Sequence, residues 1–159
     1  MQIHPYEAQH LDAVIRLSLQ AWEPVFESIQ QAMNAEVYQA FYPENWRVSQ
    51  QTAVKNVCVA EDTNVWVAVD ADSPMGFVAV KLHADDSMGE IYMLAVDPEH
   101  QGRGIGSALS EFALDWMKNA GMAIAMVETG GDPGHAPARH TYEKVGFELL
   151  PIARYFKKL

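Results

Sequence analysis

The chain of 159 residues reads as an α/β (α+β) protein: a mixed, mostly antiparallel central sheet with one parallel pair of strands and flanking helices. Three observations predict this. Between Asn64 and Val96, β-rich runs are separated only by short turn signals, the pattern of an antiparallel meander. The last of these runs stops at Asp97-Pro98, passes through Gly102, Gly104 and Gly106, and restarts with helical spacing. Another apolar strand follows that helix, and a strand-helix-strand crossover makes its two strands parallel neighbours with a right-handed connection.

Taken in order, Gln2 to Tyr6 reads as a short first strand. Leu11, Val14, Ile15, Leu19 and Trp22 then lay an apolar stripe along a helix from about Glu7 to Trp22, which Pro24 is expected to interrupt. From Trp22 to Trp46 the rings of Phe26, Tyr38, Phe41 and Tyr42 alternate with Glu23, Glu27, Glu36 and Glu44. Aromatics mixed with carboxylates suit a pocket for an organic amine, although each ring taken singly reads first as core packing. Trp46, Ala53, Val54 and Val57 support a second helix over about Glu44 to Val57.

Strand signals follow at Val57 to Ala60 or Asn64 to Val69, then at Met75 to His83, then at Gly89 to Val96, with turns at Asp70 to Pro74 and Asp85-Asp86-Ser87. Ile91 to Val96 is nearly continuous in apolar residues, as in a strand buried on both faces, and Pro98 ends its pairing because it has no amide to donate. After the glycines, Ile105, Ala108, Leu109, Phe112, Ala113, Trp116 and Met117 recur at helical spacing. Ala123 to Glu128 reads as a further buried strand and Gly130 to Gly134 as a turn. Pro137 suits the first turn of a helix that runs to about Val145 and closes at Gly146. Phe147 to Leu159 is expected to form one or two strands around Pro151.

Length and composition favour one domain over residues 1–159. The net charge of −10 and pI near 4.9 argue against a nucleic-acid partner, which needs clustered Lys and Arg. Acidity suits a cationic substrate, but a solvated acidic surface is the simpler reading. With no signal peptide and no apolar run of about 18 residues, neither secretion nor a membrane span is expected, and the default is cytoplasmic. Cys58 stands alone, which excludes an internal disulfide and a cysteine-rich zinc site, and it reads as a small buried hydrophobe. His135 and His140 are five apart and do not share a helix face, so no metal is expected.

The chemistry concentrates in the glycine loop. Amides unobstructed by side chains at a helix start, aided by the helix dipole, can hold a phosphate, and Arg103 adds a full charge. The dinucleotide pattern fails because its last glycine would be Ser107, and the Gly-Lys-Ser/Thr of a P-loop is absent. What does stand here is Gln101-x-x-Gly104-x-Gly106 directly after Val96-Asp97-Pro98. Downstream, Ala138-Arg139-His140-Thr141-Tyr142-Glu143-Lys144-Val145-Gly146-Phe147 forms a second pattern, Ala-x-x-x-Tyr-Glu-Lys-x-Gly-Phe. Together, in this order, these resemble the acetyl-CoA site of the GNAT N-acetyltransferase family. The resemblance covers nearly the whole chain, in outline only before about residue 60.

That resemblance implies the acyl-CoA N-acyltransferase fold, in which the central strand splays from its parallel neighbour. It implies acetyl-CoA as co-substrate, with pantetheine along the main chain of Leu94, Ala95 and Val96. The pyrophosphate would lie on Gln101, Gly102, Arg103, Gly104, Ile105, Gly106 and Ser107. Tyr142 matches the family's general acid near the sulfur. Glu90, eleven residues before Gln101, resembles the general base of histone-acetylating members; His83, Glu128 and His100 are alternatives. A base is needed because alkyl amines are almost fully protonated at pH 7.

One position departs from the family. His135 stands where many members carry the Asn that helps hold the coenzyme, and imidazole can still donate one hydrogen bond. Arg139 is a further candidate for the diphosphate or the substrate. The expected activity is transfer of acetyl to a primary amine by direct attack, without metal or covalent enzyme intermediate, on a small molecule, with the acidic composition tilting toward a cationic one. Protein lysines or N-termini, O-acylation, a longer acyl donor and a non-catalytic acyl-CoA-binding module stand as alternatives. A homodimer follows from family habit alone.

Overall fold

The computed structural model describes residues 1–71 and 73–159. Five strands, β1 (Gln2–Pro5), β2 (Thr63–Asp70), β3 (Ser73–His83), β4 (Met88–Val96) and β5 (Ile124–Val127), form one sheet in the order β1-β2-β3-β4-β5. The first three pairings are antiparallel and β4–β5 is parallel, so the mixed sheet expected from the meander and the crossover is present.

Because side chains alternate along a strand, each face of the sheet takes its own helices. Val14 and Leu17 of α1 (Leu11–Ala32) and Val54 and Val57 of α3 (Trp46–Val59) pack on Val67, Phe77, Ala79 and Ala95. Leu109, Ala113 and Met117 of α4 (Ile105–Asn119), with Tyr142 of α5 (Ala136–Lys144), pack on Val78, Val80, Ile91 and Val96 of the other face. Fully burying such aliphatic side chains contributes about 1.5–3 kcal/mol each.

Several elements depart from the expectations. Helix α1 continues through Pro24 to Ala32. Proline removes one helical hydrogen bond, but the stretch beyond it has packing to gain: Phe26 is 6% exposed and stacks on Trp46 with ring centroids 4.4 Å apart. A short helix, α2 (Ala35–Phe41), was not foreshadowed by apolar periodicity; its local signal is Asn34, whose side chain accepts from the amides of Glu36 and Val37 and so caps it. The stretch Val57–Val59 belongs to α3, leaving Asn64–Val69 as the strand. Cys58 is accordingly on a helix, half-buried, and burial pushes its thiol up to about 11, away from the thiolate that would be reactive.

Strand β5 lies at the sheet edge rather than in its interior, with Ile124 58% exposed. Residues 148–159 form no strand. The open edge at β5 offers only four residues, and Pro151 cannot donate to a ladder. Side chains hold this segment instead: Arg154 donates to Glu128, and Phe156 packs edge-on against Phe41. Among the described residues, no helix is long and apolar enough to cross a membrane.

Candidate active site

The site begins where the parallel pair comes apart. Strands β4 and β5 are paired from Met88 with Ile124 to Ile91 with Val127, and there the pairing stops while β4 runs on to Val96. At that point Tyr92 is an extra residue, since Ala79 of β3 faces Met93 while Val80 faces Ile91. A bulge bends a strand and increases its twist, which turns β4 away from β5. Beyond it, Leu94, Ala95 and Val96 pair with Val78, Phe77 and Gly76 on one side only. Their other backbone edge is open to an extended ligand, which can pair with it as an added strand does.

The glycine loop follows directly. The Asp97 amide donates to the Met75 carbonyl, and the Asp97 carboxylate accepts from the Glu99 amide. The Gln101 side chain donates to the Val96 carbonyl at 3.0 Å, so it staples the loop to β4 and leaves its backbone for a ligand. Gly102 and Gly104 have φ of +75° and +79°, and a Cβ at either would meet nothing within 4 Å. They lie ahead of α4 rather than in its first turn. The helix starts at Ile105 with no side-chain cap, leaving the first-turn amides of Ile105, Gly106 and Ser107 without intrahelical partners. The Ile105 side chain is buried in the core, so only its amide serves the loop. With open space above the glycines, free amides and the exposed Arg103, this loop fits the pyrophosphate of a coenzyme A.

Tyr142 sits beside the opening in the cluster that holds Leu94, Val96 and Val127. The ring is 8% exposed and edge-on to Phe147, and burial pushes its phenol up to about 12. Among the described residues, the one buried side-chain nitrogen or oxygen without a partner is Nδ1 of His100; the Tyr142 hydroxyl, which makes no hydrogen bond within the chain, is therefore not sealed from solvent. Helix α5 carries it to the loop, with Thr141 close to Gly106.

Glu90 lies on the opposite face. Ile91 points to the α4 and α5 side, so its neighbour Glu90 points to the α1 and α3 side, one residue before the pairing ends. Its carboxylate is 2.7 Å from His83 Nε2 and its side chain is 17% exposed. Two of the candidate bases are thus a pair. Glu128 is engaged by Arg154, and His100 belongs to the turn before the glycine loop. The structure therefore puts the candidate base and acid on opposite faces of the sheet, with the β4–β5 opening as the passage between them.

A clasp fixes the far wall of the opening. After β5, Asp132 accepts from the Ser28 hydroxyl at 2.6 Å and from the Gly134 amide, and its other oxygen binds His135 Nδ1 at 2.5 Å. Nη1 of Arg139 donates to the carbonyls of Gly130 and Asp132, which ties the side chain to the loop after β5 and leaves its other donors for a ligand. His135 has only Nε2 left for a coenzyme. Sequence reading missed Ser28 and Asp132 as parts of the site because they are 104 residues apart. An open cleft of about 560 Å³ lies beside the clasp, lined by Pro24, Glu27, Ser28, Gln31 and Pro133.

Burial pushes the Asp132 carboxyl up, but the bonds from Ser28 and His135 and the His135 charge outweigh it and hold the group below its ordinary value. A depressed carboxylate contributes stability above its unfolded value, near 3.9, and loses that contribution as the pH falls through the folded value. Asp132→Asn is expected to cost about 1–2 kcal/mol at pH 7. In urea unfolding the gap to the parent should narrow below about pH 3.9; a gap independent of pH would refute the assignment. Among the described residues, no group of three or more His, Cys, Asp or Glu is arranged to hold a metal ion.

Known proteins share the family and the fold. The acetyltransferase (GNAT) family matches residues 31–147. A mycothiol acetyltransferase of Actinosynnema mirum is 33% identical over 139 residues, covering 86% of this chain and 40% of that protein, so the chain spans less than half the relative's length. The aminoglycoside antibiotic 6'-N-acetyltransferase AAC(6')-IG from Acinetobacter haemolyticus has the same fold, with TM-score 0.70 at 14% identity over 100% of this chain and 99% of that one. So does the ribosomal-protein-S18-alanine N-acetyltransferase from Escherichia coli, with TM-score 0.68 at 21% identity over 94% and 79%. The family match extends from the C-terminal end of α1 through the glycine loop to the end of the Tyr142 pattern, and the chain belongs to the GNAT family of acetyltransferases.

Proposed function

We propose that this chain is an acetyl-CoA-dependent N-acetyltransferase, a single domain over residues 1–159, that acetylates a primary amine of a small cationic molecule by direct attack. The observation that carries the reading is the opening between β4 and β5 beyond Ile91, with Glu90 on one face and Tyr142 on the other. Acetyl-CoA, the co-substrate, supplies an activated acetyl group as a thioester. The backbone of Leu94 to Val96 and the loop from Gln101 to Ser107 bind it, with His135 Nε2 as a further contact. Glu90 accepts a proton from the substrate ammonium, and the freed lone pair forms the C–N bond at the acetyl carbonyl carbon. As the C–S bond breaks, Tyr142 donates its proton toward the sulfur, and the second proton that the new amide nitrogen sheds returns to the phenolate through solvent, so coenzyme A leaves as the thiol and Tyr142 is restored. A phenol pushed up to about 12 is fully protonated at neutral pH, so the donor form is always present; because it is a weaker acid than a thiol, near 8.5, its hydrogen bond stabilises the departing thiolate, and full transfer is driven by the proton returned from the nitrogen.

A small acceptor is supported by the relative's name, mycothiol acetyltransferase, and a cationic one by the net charge of −10 and by Glu27 in the open cleft. The test is calorimetry with acetyl-CoA, followed by thiol release and product mass spectrometry across polyamines, aminoglycosides, amino acids and peptide amines. Saturable binding and acetylation of a small cationic amine are expected. No acetyl-CoA binding would overturn the reading, binding without turnover on any amine would mark a non-catalytic acyl-CoA module, and turnover confined to peptides would refute the small-molecule assignment.

A further inference from the structure

Glu90 has two basic neighbours on β3, and they are handled differently. Lys81 is its direct cross-strand partner and would be the ordinary choice for an ion pair. Its ammonium instead lies 4.2 Å over the Tyr92 ring and 3.6 Å from Asp62. The ring is that of the bulge residue, which the irregular register places beside Lys81. The carboxylate of Glu90 is bound by His83, two residues further along β3, at 2.7 Å. From β5 the register partner of Glu90 is Met126, which carries no charge. So a cation that would neutralise the carboxylate is drawn off by an aromatic face, and a neutral-capable donor takes its place.

We propose that His83 is a positioning residue for Glu90, a reading that rests on Glu90 being the base. An ionised carboxylate can only accept, so in that state Nε2 of His83 carries the hydrogen of the bond. This engages Oε2 and holds the carboxylate plane, leaving Oε1 to take the amine proton. Half-exposed at 39%, the imidazole is anchored at one nitrogen and solvated at the other. Lys81 in the same place would set a fixed ammonium against the carboxylate in competition with that of the substrate; its charge is instead held over the Tyr92 ring and beside Asp62.

The experiment compares His83→Phe and His83→Gln in the parent and in Glu90→Gln, following thiol release from acetyl-CoA with the fastest amine of the panel and with water alone. In the parent, His83→Phe is expected to lower kcat about tenfold to a hundredfold with the KM for acetyl-CoA unchanged. His83→Gln, whose amide can still donate to Oε2, should recover most of the loss. In Glu90→Gln neither substitution should cost anything more, because residues acting as a unit are not additive. Equal losses in both backgrounds, or none in the parent, would overturn the positioning role while leaving Glu90 as base. An unchanged Glu90→Gln would instead refute the base itself, and with it this inference. Calorimetry with acetyl-CoA verifies that each variant is folded. Long-range proton-nitrogen spectra of the imidazoles require no acceptor: an Nε2–H at His83 whose shifts move in Glu90→Leu, which has no acceptor, supports the bond, and shifts indifferent to that substitution overturn it.

Discussion

Tyr142→Phe is expected to lower kcat by about a hundredfold or more while leaving the affinity for acetyl-CoA close to the parent value. The substitution removes one oxygen from a ring that is otherwise buried among Leu94, Val96, Ile105 and Phe147. Because the hydroxyl makes no hydrogen bond among the described residues, its loss leaves no orphaned partner there, and the melting temperature should hardly move. A large kinetic loss without a stability loss is what separates an acid from a packing residue. Steady-state kinetics and thermal unfolding of the same preparation decide it; unchanged turnover removes Tyr142 from the mechanism. There is a pH corollary. With the phenol pushed up to about 12, Tyr142 keeps its proton through the physiological range and imposes no alkaline loss of activity below about pH 10. Its stability contribution has the same sign: present below its unfolded value near 10, and lost as the pH rises through the folded one.

Gly104→Val should abolish measurable acetyl-CoA binding, a loss of at least about a hundredfold, for two separable reasons. At φ +79° an L-residue costs about 1–2 kcal/mol, and the added side chain projects into the open space over the loop, where the pyrophosphate would approach the amides of Ile105, Gly106 and Ser107. Gly121→Ala supplies the control. Gly121 has φ +87° and equally open surroundings, but it follows the C-terminal end of α4, so it should show the strain without the loss of affinity. Calorimetric titration of the two variants checks this. Equal affinities would remove the glycine loop from the coenzyme site.

Much of the site was legible in the order of residues because its signals are local. The three glycines, the proline that ends β4 and the helical spacing after Ile105 are all short-range steric statements. The two patterns around Gln101 and Tyr142 could be read as a coenzyme A site before any contact was known. Pairings between distant residues were not legible in this way. Glu90 and His83 stood as rival bases, and only the β3–β4 register makes them one unit. The bonds from Arg139 to the carbonyls of Gly130 and Asp132 are likewise contacts of the folded loop. Pro24 was read as a helix end because its local cost is fixed, whereas the stacking of Phe26 on Trp46 that offsets this cost comes from another helix.

The sequence by itself determined the meander, the crossover, the glycine loop and the final helix, since periodicity and backbone freedom act over a few residues. Tertiary structure alone decided where the sheet opens and which side chains face that opening. The place where β4 leaves β5 depends on one surplus residue, Tyr92, counted against β3. The same residue holds Lys81 away from Glu90. A register shift has no signature within a single strand, because it exists only between two.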